Sequence, residues 1–558
     1  MQSRRNFLQS GLIATAAMGR SVPSSAASQP DTSETLESAA PKNGVITFLQ
    51  TTDVHCQLQT HDELFWENNQ LTFRKAGGYA HVATALDALR KENPANTLTI
   101  DTGDMFQGSM LSVKTTGQAF VPLLNALNYD MYLPGNWEVV YYKKNMQKLM
   151  GGLLAPKVCT NMYHDLGNGK KGELIFQPYQ IVNRLGIKIG ILGYTDPLVP
   201  LRQSPLYSKG IIYTKPEENL KEYVELLKEQ EQCDFIIILS HLGLSQQIAL
   251  GNHPDCKGVD YIFGADTHER VRKPIQAEYT KIVEPGAFGS FIGRLDLKVE
   301  NGKIVNDSYQ LIEVNPQKYP AKKEITALIE EIEKPYKEEI NKIIGYSTLP
   351  LYRNFVVENT IDTMIVDALK WKVNADVVLS NGFRFCPPRT AGKDGKVAIT
   401  EGYLYDMLPV DATIRTGTAT GGQLLEWLEK ELQNVFAQDA SKRFGGWLIR
   451  FKGMQVEFKA FERVGHRVQK VIIGGQPIDP KKEYTLCACE RDGDPEDMLC
   501  RMRGVKNTQN TAFTLHSMMK DYLKQFSPVT PALRHDAKVL DAAQTLLSQV
   551  HGVDYTFV

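Results

Sequence analysis

The sequence predicts an α/β fold in which a sheet is covered by helices on both faces. Short, continuously apolar runs such as residues 235–239 are typical of strands buried on both sides. Stretches with helical spacing alternate with these runs, which indicates a layered α/β arrangement. Several runs end in polar side chains, at the carboxyl ends of strands where binding sites in such sheets lie. The sequence therefore predicts one site at the edge of a layered α/β domain.

The chain is too long for one hydrophobic core. It has 558 residues, so two or more domains are expected. The hydrophobic fraction is 42% and the formal net charge is −1, which is ordinary for a globular protein and argues against a general nucleic-acid binder. The eight cysteines form no CxxC pairs typical of zinc sites, and we expect them to be mostly buried free thiols, with one disulfide possible.

The first 27 residues have the pattern of a twin-arginine signal peptide. Arg4 and Arg5 precede an apolar run, residues 11–18, and small residues 24–27 follow it. A permanent membrane anchor needs roughly 20 apolar residues, so this run is too short to serve as one. An amphipathic tether is the alternative. We expect a periplasmic or otherwise extracytoplasmic protein that starts near Ala27 and has no permanent membrane anchor.

The domain boundaries follow from composition and spacing. After a polar linker the first domain covers residues 44–320, and a charged helix, residues 321–345, links it to a second domain, residues 346–558. Pro335 is expected to kink or split that helix. Residues 216–230 are predicted to form one amphipathic helix, and a further helix is expected near residues 536–550.

The polar residues at the strand ends are of the kinds that bind metal ions. They are Asp53 and His55, Asp104, Asn136, His241, and Asp266 and His268. Carboxylate, imidazole and amide ligands of this kind suit a pair of divalent cations that activates water and stabilises an oxyanion. We expect Asp104 to bridge the pair, with Asp53, His55 and His268 on one ion and Asn136, His241 and Asp266 on the other.

These motifs resemble the metallophosphoesterases of the 5′-nucleotidase / UDP-sugar hydrolase superfamily. The matching segments are Asp53-x-His55, Gly103-Asp104, Gly135-Asn136, Ser240-His241-Leu242-Gly243 and Thr267-His268 in the first domain, and Ser380 to Arg384, Pro409 and Gly421-Gly422 in the second. The resemblance covers nearly the whole mature chain. It implies a four-layer α/β/β/α catalytic domain followed by an α/β substrate-binding domain of the 5′-nucleotidase C-terminal type.

Trp137 and Val140 depart from the nucleotidase pattern. The nucleotidases have a catalytic His after the Asn and an Asp three residues later, whereas this chain has Trp137 and Val140. The run Gly-Asn-Trp-Glu is instead similar to the SoxB branch, as are residues 382–384 and the run from Asn434 to Gly446. That resemblance implies a dimanganese thiosulfohydrolase of periplasmic sulfur oxidation, which releases sulfate from a thiosulfonate on a carrier protein's cysteine.

The chemistry of the leaving group favours the same branch. A nucleotide ester expels an alkoxide, which needs a general acid such as the missing His. A cysteine-bound thiosulfonate expels a sulfur anion. Because a thiol has a pKa of about 8.5, such a sulfur leaving group can depart without a general acid. The Trp137 indole N–H cannot transfer a proton. The alternative is that Trp137 only forms a wall of the site.

Asp266 is the second position at which this sequence departs from the superfamily pattern, which usually has His there. A carboxylate there favours Mn or Fe over Zn. The alternative is that Asp266 does not bind metal.

Three residues of the second domain are candidates for binding substrate. Arg384 and, more weakly, Arg491 present planar guanidinium groups that suit sulfonate or phosphate oxygens. Phe383 or Phe385 could stack on a nucleotide base, but the stretch from Cys487 to Asp494 offers no second aromatic residue. This absence counts against a nucleotide.

Three functions remain open from the sequence. The first is a SoxB-type thiosulfohydrolase whose partner is a SoxYZ-like sulfur carrier with a cysteine swinging arm. The second is a phosphatase of the 5′-nucleotidase or UDP-sugar hydrolase kind, acting on a small anionic nucleotide. The third is a catalytically inactive metal-binding protein, which the complete set of possible ligands disfavours.

Overall fold

The computed structural model describes residues 43–542, apart from Asn69 and residues 381, 382, 384 and 385. The predicted signal peptide, Arg384, Phe385 and the last part of the predicted tail helix lie outside the described residues. Within the described part of the chain, no helix has both the length and the apolarity needed to cross a membrane.

The first half of the chain alternates strands with helices. Its strands are β1 Gly44–Thr51, β2 His61–Glu67, β3 Gln70–Ala76, β4 Thr97–Asp101, β5 Met131–Tyr132, β6 Met162–Asp165, β7 Lys171–Leu174, β8 Tyr179–Arg184, β9 Ile187–Thr195, β10 Ile211–Tyr213, β11 Phe235–His241, β12 Tyr261–Phe263, β13 Ile275–Gln276, β14 Lys281–Val283, β15 Phe291–Glu300 and β16 Lys303–Glu313. Its helices are α1 Tyr79–Glu92, α2 Met110–Thr115, α3 Val121–Ala126, α4 Tyr142–Gly152, α5 Val199–Arg202, α6 Leu220–Glu225, α7 Leu244–Gly251, α8 Lys323–Glu333 and α9 Lys337–Asn341.

Two sheets pack face to face and provide the frame of the first half. One has the strand order β16-β15-β1-β4-β5, and the other has the order β13-β14-β12-β11-β9-β8. Phe48 and Phe263 meet between them with ring centroids 5.5 Å apart. Because side chains alternate along a strand, Ile237 and Leu239 of β11 face the first sheet while Ile236 and Ile238 face α6 and α7. The helices α1, α3 and α8 cover the first sheet. The layered α/β fold is confirmed, in the four-layer α/β/β/α order that the resemblance implied.

One local prediction was wrong and another was confirmed. Residues 216–230 do not form one helix, because α6 is preceded by a 3₁₀ turn and continues into a π-helical segment, Leu226–Gln230. The predicted long linker helix is interrupted between α8 and α9, as expected from Pro335.

The second half has a central five-stranded sheet of order β21-β18-β25-β20-β26, covered by helices on both faces. Its strands are β17 Ile343–Ser347, β18 Val377–Leu379, β19 Val397–Thr400, β20 Thr413–Thr420, β21 Phe451–Lys452, β22 Met454–Phe458, β23 Val468–Ile473, β24 Gln476–Pro477, β25 Glu483–Cys489, β26 Lys506–Thr514 and β27 Ala537–Val539. Its helices are α10 Thr360–Val373, α11 Glu401–Met407, α12 Gly421–Phe436 and α13 Leu515–Phe526.

The tail differs from its prediction. Residues 537–539, predicted as the start of a helix, form β27, which pairs in parallel with β22. All eight cysteines lie within the described residues and are free thiols, so the optional disulfide does not form.

A buried ion cluster stabilises the second half. Asp362 accepts hydrogen bonds from Arg353 Nη2 at 2.9 Å and Nε at 3.2 Å, and it lies 3.5 Å from Arg450 Nη1. The Arg353 and Asp362 side chains are fully buried. Burial alone would raise the pKa of Asp362, but the two arginines outweigh it and hold the pKa below its ordinary value. Ser380 Oγ also donates to Asp362, which fixes the start of the segment that carries Phe383.

We predict that Asp362→Ala destabilises the protein by about 3–5 kcal/mol, because it leaves two arginines buried without their carboxylate. Urea unfolding at pH 7 measures this. The control is Asp521→Ala, which removes an exposed partner of Lys372 and should cost about 0–1 kcal/mol. Since the folded pKa of Asp362 is depressed, its contribution is present above pH 3.8, the ordinary value, and is lost as the pH falls further. Equal stabilities of the two variants would contradict this account.

Candidate metal centre

The five polar motifs converge where five strands of the two facing sheets end. Strands β1, β4 and β5 lead to Asp53 and His55, to Asp104 and to Asn136, while β11 and β12 lead to His241 and to Asp266 and His268. Five of these residues adopt left-handed backbone angles that non-glycine residues rarely take: Asp53 (φ 48°), His55 (φ 44°), Asp104 (φ 59°), Asp266 (φ 79°) and His268 (φ 60°). Such conformations cost of order 1–3 kcal/mol each and cluster at functional sites.

Two glycines make the convergence possible. A Cβ on Gly103 would lie 2.5 Å from the backbone nitrogen of Gly135, and a Cβ on Gly135 would lie 2.3 Å from Asp104 Oδ1. Gly103 also has φ 107°. The loops that carry Asp104 and Asn136 can therefore approach each other only because neither glycine has a side chain.

Asp53, His55 and His268 form the first ligand cluster. His55 Nε2 lies 3.1 Å from His268 Nε2, and Asp53 Oδ1 lies 3.4 Å from His268 Nε2 and 3.9 Å from His55 Nε2. Ligand atoms about 2.0–2.2 Å from one ion stand roughly 3–3.5 Å apart, so this spacing suits a single cation. The His55 Nδ1 faces the carbonyl oxygen of Gln107 at 3.0 Å, which directs Nε2 into the cluster.

Asp53, Asp104 and His241 form the second cluster. His241 Nε2 lies 3.3 Å from Asp104 Oδ2 and 3.8 Å from Asp53 Oδ1. His241 Nδ1 faces the carbonyl oxygen of Thr102 at 2.7 Å, so its Nε2 also points into the site. Asp104 Oδ2 is 3.7 Å from His55 Nε2, which places this carboxylate between the two clusters. The structure also places Asp53 in both clusters, a shared position that the sequence analysis assigned to Asp104 alone.

Asp53 and His55 are in the protonation states that cation binding requires, whereas His241 must release a proton before it can bind a metal ion. Burial would raise the pKa of Asp53, but the facing histidines, His268 first, hold it well below its ordinary value, so the carboxylate is anionic. Burial lowers the pKa of His55 to about 4, which leaves its imidazole neutral with a lone pair to donate. Burial would also lower the pKa of His241, but Asp104 and Asp53 raise it well above the usual value. Asp104 and Asp53 thus stabilise positive charge at the second cluster.

Unsatisfied polar atoms give a second test of the fit to metal ions. Asp53 Oδ1 and His241 Nε2 are fully buried and make no hydrogen bond to any residue the structure describes. The charged atoms that face them, at 3.3–3.8 Å, are other potential ligands, and this arrangement is expected where an ion completes the contacts of buried polar atoms. The donor set of carboxylates, imidazoles and an amide fits two divalent cations.

Asn136 and Asp266 lie beside the second cluster. Asn136 Nδ2 donates to Asp266 Oδ1 at 2.7 Å, and Arg202 Nη1 donates to Asp266 Oδ2 at 3.3 Å. The Asp266 backbone N–H donates to Asp53 Oδ2 at 3.2 Å. Asp266 is therefore held against the site but is not a member of either cluster of close ligand atoms.

Trp137 and Glu138 support Asp104. The backbone N–H of Trp137 donates to Asp104 Oδ1 at 2.8 Å. Glu138, which is buried, accepts from the backbone N–H groups of Met105 at 2.7 Å and Asp104 at 3.3 Å. The Trp137 ring packs on Phe383 with centroids 5.7 Å apart. Residues after Asn136 thus fix the Asp104 loop and begin the wall of a pocket.

A pocket of about 150 Å³ opens onto the metal centre. It is lined by Asp104, Asn136, Trp137, Arg202, Gln203, Asp266, His268, Phe383, Phe444, Gly445, Gly446, Trp447 and Arg501. Both halves of the chain contribute to it. A larger cavity, about 270 Å³, lies near His61 and Asp406 and contains none of the predicted ligands.

Of the three predicted substrate-binding residues, the structure places one, Phe383, in the pocket. Phe383 lines the pocket, and its contact with Trp137 makes it part of the wall. Arg384 lies outside the described residues. Arg491 does not line the described part of the pocket; its Nε donates to Asp494 Oδ1 at 2.7 Å and its Nη1 donates to the carbonyl oxygen of Leu201.

Sequence reasoning missed several residues of the site. Arg202 and Arg501 had no motif to mark them, since their partners are distant in the chain. The run from Phe444 to Gly446 is marked in the sequence only by its resemblance to the SoxB branch, and it forms part of the pocket wall. Glu284 was also missed; it accepts from Thr267 Oγ1 at 2.7 Å and from the Glu269 backbone N–H at 2.8 Å, and so holds the turn that carries His268.

Both halves of the chain match models of known protein families. Residues 46–270 match the model of the calcineurin-like phosphoesterases, and residues 339–490 match the 5′-nucleotidase C-terminal domain. The chain is 26% identical over 554 residues to a 5′-nucleotidase of Vibrio vulnificus, covering 89% of this chain and 93% of that protein. It is also 26% identical over 484 residues to the trifunctional nucleotide phosphoesterase YfkN of Bacillus subtilis, where the match covers 78% of this chain but only 30% of that protein.

Two solved structures share the fold over most of the chain. The Thermus thermophilus sulfate thiohydrolase SoxB has a TM-score of 0.79 and 22% identity, covering 89% of this chain and 97% of its own. A 5′-nucleotidase precursor from Thermus thermophilus has a TM-score of 0.74 and 21% identity, covering 90% and 100%. At these identities the likeness concerns the fold and does not choose between the two activities.

The chain therefore has the two kinds of domain found in the 5′-nucleotidase / metallophosphoesterase superfamily. It combines a calcineurin-like phosphoesterase domain with a 5′-nucleotidase C-terminal domain, and it is a metal-dependent hydrolase.

We predict that Asp53→Asn reduces the metal content much more than His268→Gln does, because Asp53 is in both clusters and His268 in one. Elemental analysis of purified protein should fall from about two ions per chain towards none for Asp53→Asn, and to about one for His268→Gln. His253→Gln, an exposed histidine outside both clusters, is the control. Equal losses in the Asp53 and His268 variants would contradict the shared position of Asp53.

Proposed function

We propose that the protein is a periplasmic two-metal hydrolase that releases sulfate from a thiosulfonate carried on a cysteine of a SoxYZ-like carrier protein. The proposed ligands are Asp53, His55, Asp104, Asn136, His241, Asp266 and His268. We propose manganese for both ions, with iron or zinc as alternatives, and export by the twin-arginine route. The proposed division of the chain is a signal peptide at 1–27, a catalytic domain at 44–320, a linker helix at 321–345 and a substrate-binding domain at 346–558.

The observation that carries this proposal is that the described residues lining the pocket include no acid or histidine outside the proposed ligand set. Among the described residues that line it, the acids and histidines are Asp104, Asp266 and His268, all proposed metal ligands. Trp137 occupies the wall where an ester-cleaving relative would need a general acid, and an indole does not transfer a proton. The site therefore suits a substrate whose leaving group departs without protonation.

A thiosulfonate meets that requirement. The oxygen of one water joins the sulfonate sulfur, the bond to the neighbouring sulfur breaks with its electron pair, and the carrier leaves as a sulfur anion. The products are sulfate and two protons. Bound metal ions would lower the pKa of water and stabilise the oxyanion. The chain itself contributes the ligand geometry and an aromatic wall of Trp137, Phe383 and Trp447 that limits access of other solutes.

The second candidate is a 5′-nucleotidase or UDP-sugar hydrolase-like phosphatase. It is favoured by the 5′-nucleotidase of Vibrio vulnificus, which matches nearly the whole length of this chain. The pocket weakens this candidate, because the Phe383 ring is packed against Trp137 at 5.7 Å between centroids. A nucleotide base could stack on Phe383 only from its other face.

A direct comparison of two substrates tests the proposal. The manganese-loaded enzyme is given a carrier, or a peptide ending in Gly-Gly-Cys-Gly-Gly, whose cysteine bears a thiosulfonate. Sulfate is measured by ion chromatography, and phosphate release from AMP is measured in parallel. We expect sulfate release that depends on the metal and is lost in His241→Ala, with little phosphate release. Rapid AMP turnover without sulfate release would overturn the proposal in favour of the second candidate.

Trp137→His tests the reason for the proposal. A histidine at this position supplies a general acid, and such an acid contributes about 10²-fold or more to ester cleavage, so phosphate release should rise towards that factor. Trp137→Phe is the matched control, since it changes the ring without adding a proton donor and should give no gain. Unchanged phosphate release in both variants would show that Trp137 does not set the choice of substrate.

A further inference from the structure

Arg202 stands out among the residues of the pocket because only part of its guanidinium is engaged. Its Nη1 donates to Asp196 Oδ2 at 2.9 Å and to Asp266 Oδ2 at 3.3 Å. Neither Nε nor Nη2 donates to any residue in the described part of the chain, and Nε is fully buried. The side chain as a whole is 13% exposed. A nearly buried cation thus keeps two donors without an acceptor.

The free donors of Arg202 lie on one edge of the guanidinium. An arginine can bind two oxygens of one anion through parallel N–H groups, and Nε and Nη2 provide such a pair. Arg501, which also lines the pocket, differs in this respect, because its Nε and Nη2 both donate to Glu431. Of these two pocket arginines, only Arg202 has an Nε and Nη2 pair that donates to none of the described residues.

The position of Arg202 is fixed in advance. Asp196 is fully buried and accepts from the Leu198 backbone N–H at 2.8 Å, so it anchors the guanidinium rigidly. Gly445 lies against the guanidinium, where an added Cβ would come within 2.9 Å of Nη2, and the Phe444 ring lies 5.5 Å away. A side chain held in this way loses little conformational entropy when it binds a ligand.

Arg202 is also close to the metal centre. It contacts Asp266, a proposed ligand whose other oxygen accepts from the proposed ligand Asn136, so the guanidinium directly adjoins the proposed ligand set. Arg202, Asn136 and Asp104 line the same pocket. A tetrahedral anion with one oxygen at the second cluster can therefore extend its other oxygens towards Arg202.

We propose that Arg202 is a substrate-positioning residue that binds two oxygens of the substrate's sulfonate or phosphate group through Nε and Nη2. This inference rests on the proposed function only in that the substrate carries a tetrahedral oxyanion. The role complements that proposed for Arg384 and uses a residue of the first half of the chain.

The test measures the binding of inorganic sulfate and inorganic phosphate to the metal-loaded full-length enzyme by calorimetry. Arg202→Gln should weaken both probes about 10- to 100-fold, which is the usual effect of losing a charge-assisted pair of hydrogen bonds. Arg202→Lys keeps the positive charge but lacks the planar pair of N–H donors. Its affinity for both probes should therefore fall between those of the wild type and Arg202→Gln. Arg463→Gln removes an exposed arginine outside the pocket and should leave both affinities unchanged.

Metal content and turnover separate this role from a structural one. In Arg202→Gln the bound metal should stay at the wild-type level, and the loss of kcat/KM should come mainly from a higher KM. The proposal is overturned if both probes bind Arg202→Gln as tightly as they bind Arg463→Gln. It is also overturned if Arg202→Gln loses metal, because the residue would then act through Asp266.

The outcome is independent of the sulfate-release assay. If that assay fails but Arg202→Gln still weakens both probes, Arg202 is a positioning residue for another oxyanion and only the proposed substrate falls. If sulfate is released normally by Arg202→Gln at an unchanged KM, the proposed function stands and the role of Arg202 falls.

Discussion

The structure of the site depends on one carboxylate oxygen, Asp53 Oδ1. It lies 3.9, 3.4 and 3.8 Å from the Nε2 atoms of His55, His268 and His241, which come from three different strand ends. These three imidazoles face one buried carboxylate oxygen, and in two of them the other ring nitrogen faces a backbone carbonyl oxygen. The two sheets must therefore pack face to face at a fixed offset for the oxygen to meet all three. A pair of divalent cations explains why so much buried charge is gathered at this point.

Much of the fold and of this cluster could be predicted from sequence because the signals are local. Asp53, Asp104 and His241 each come at the end of an apolar run. The parallel strands β1 and β4 bring Asp53 and Asp104 to one edge of their sheet, and His241 ends a strand of the facing sheet. The β2–β3 hairpin could not be predicted in this way: its residues mix charged and aromatic side chains, and the hairpin is stabilised by contacts of Leu64 with Tyr352 and Phe355. The strand β27 depends on pairing with β22, about 80 residues earlier, which overrides local helical spacing.

The side chains that line the pocket are also only partly predictable from the sequence. Trp137 follows a recognisable motif, so its departure from the nucleotidase pattern is visible in the sequence. Arg202 has no such motif, because its role depends on Asp196, Asp266 and Gly445 meeting in space. The chain thus combines two clusters of potential metal ligands with a pocket whose described lining has no acid or histidine outside the proposed ligands. This combination is the physical basis for proposing sulfur rather than alkoxide departure.

The central claim is that Asp53 lies between two metal ions. Anomalous X-ray diffraction from manganese-loaded crystals, measured on both sides of the manganese absorption edge, tests it most directly. We expect two anomalous peaks, one among Asp53, His55 and His268 and the other beside Asp104, Asn136 and His241, with Asp53 at the boundary between them. A single peak, or two peaks of which only one or neither contacts Asp53, would contradict the account.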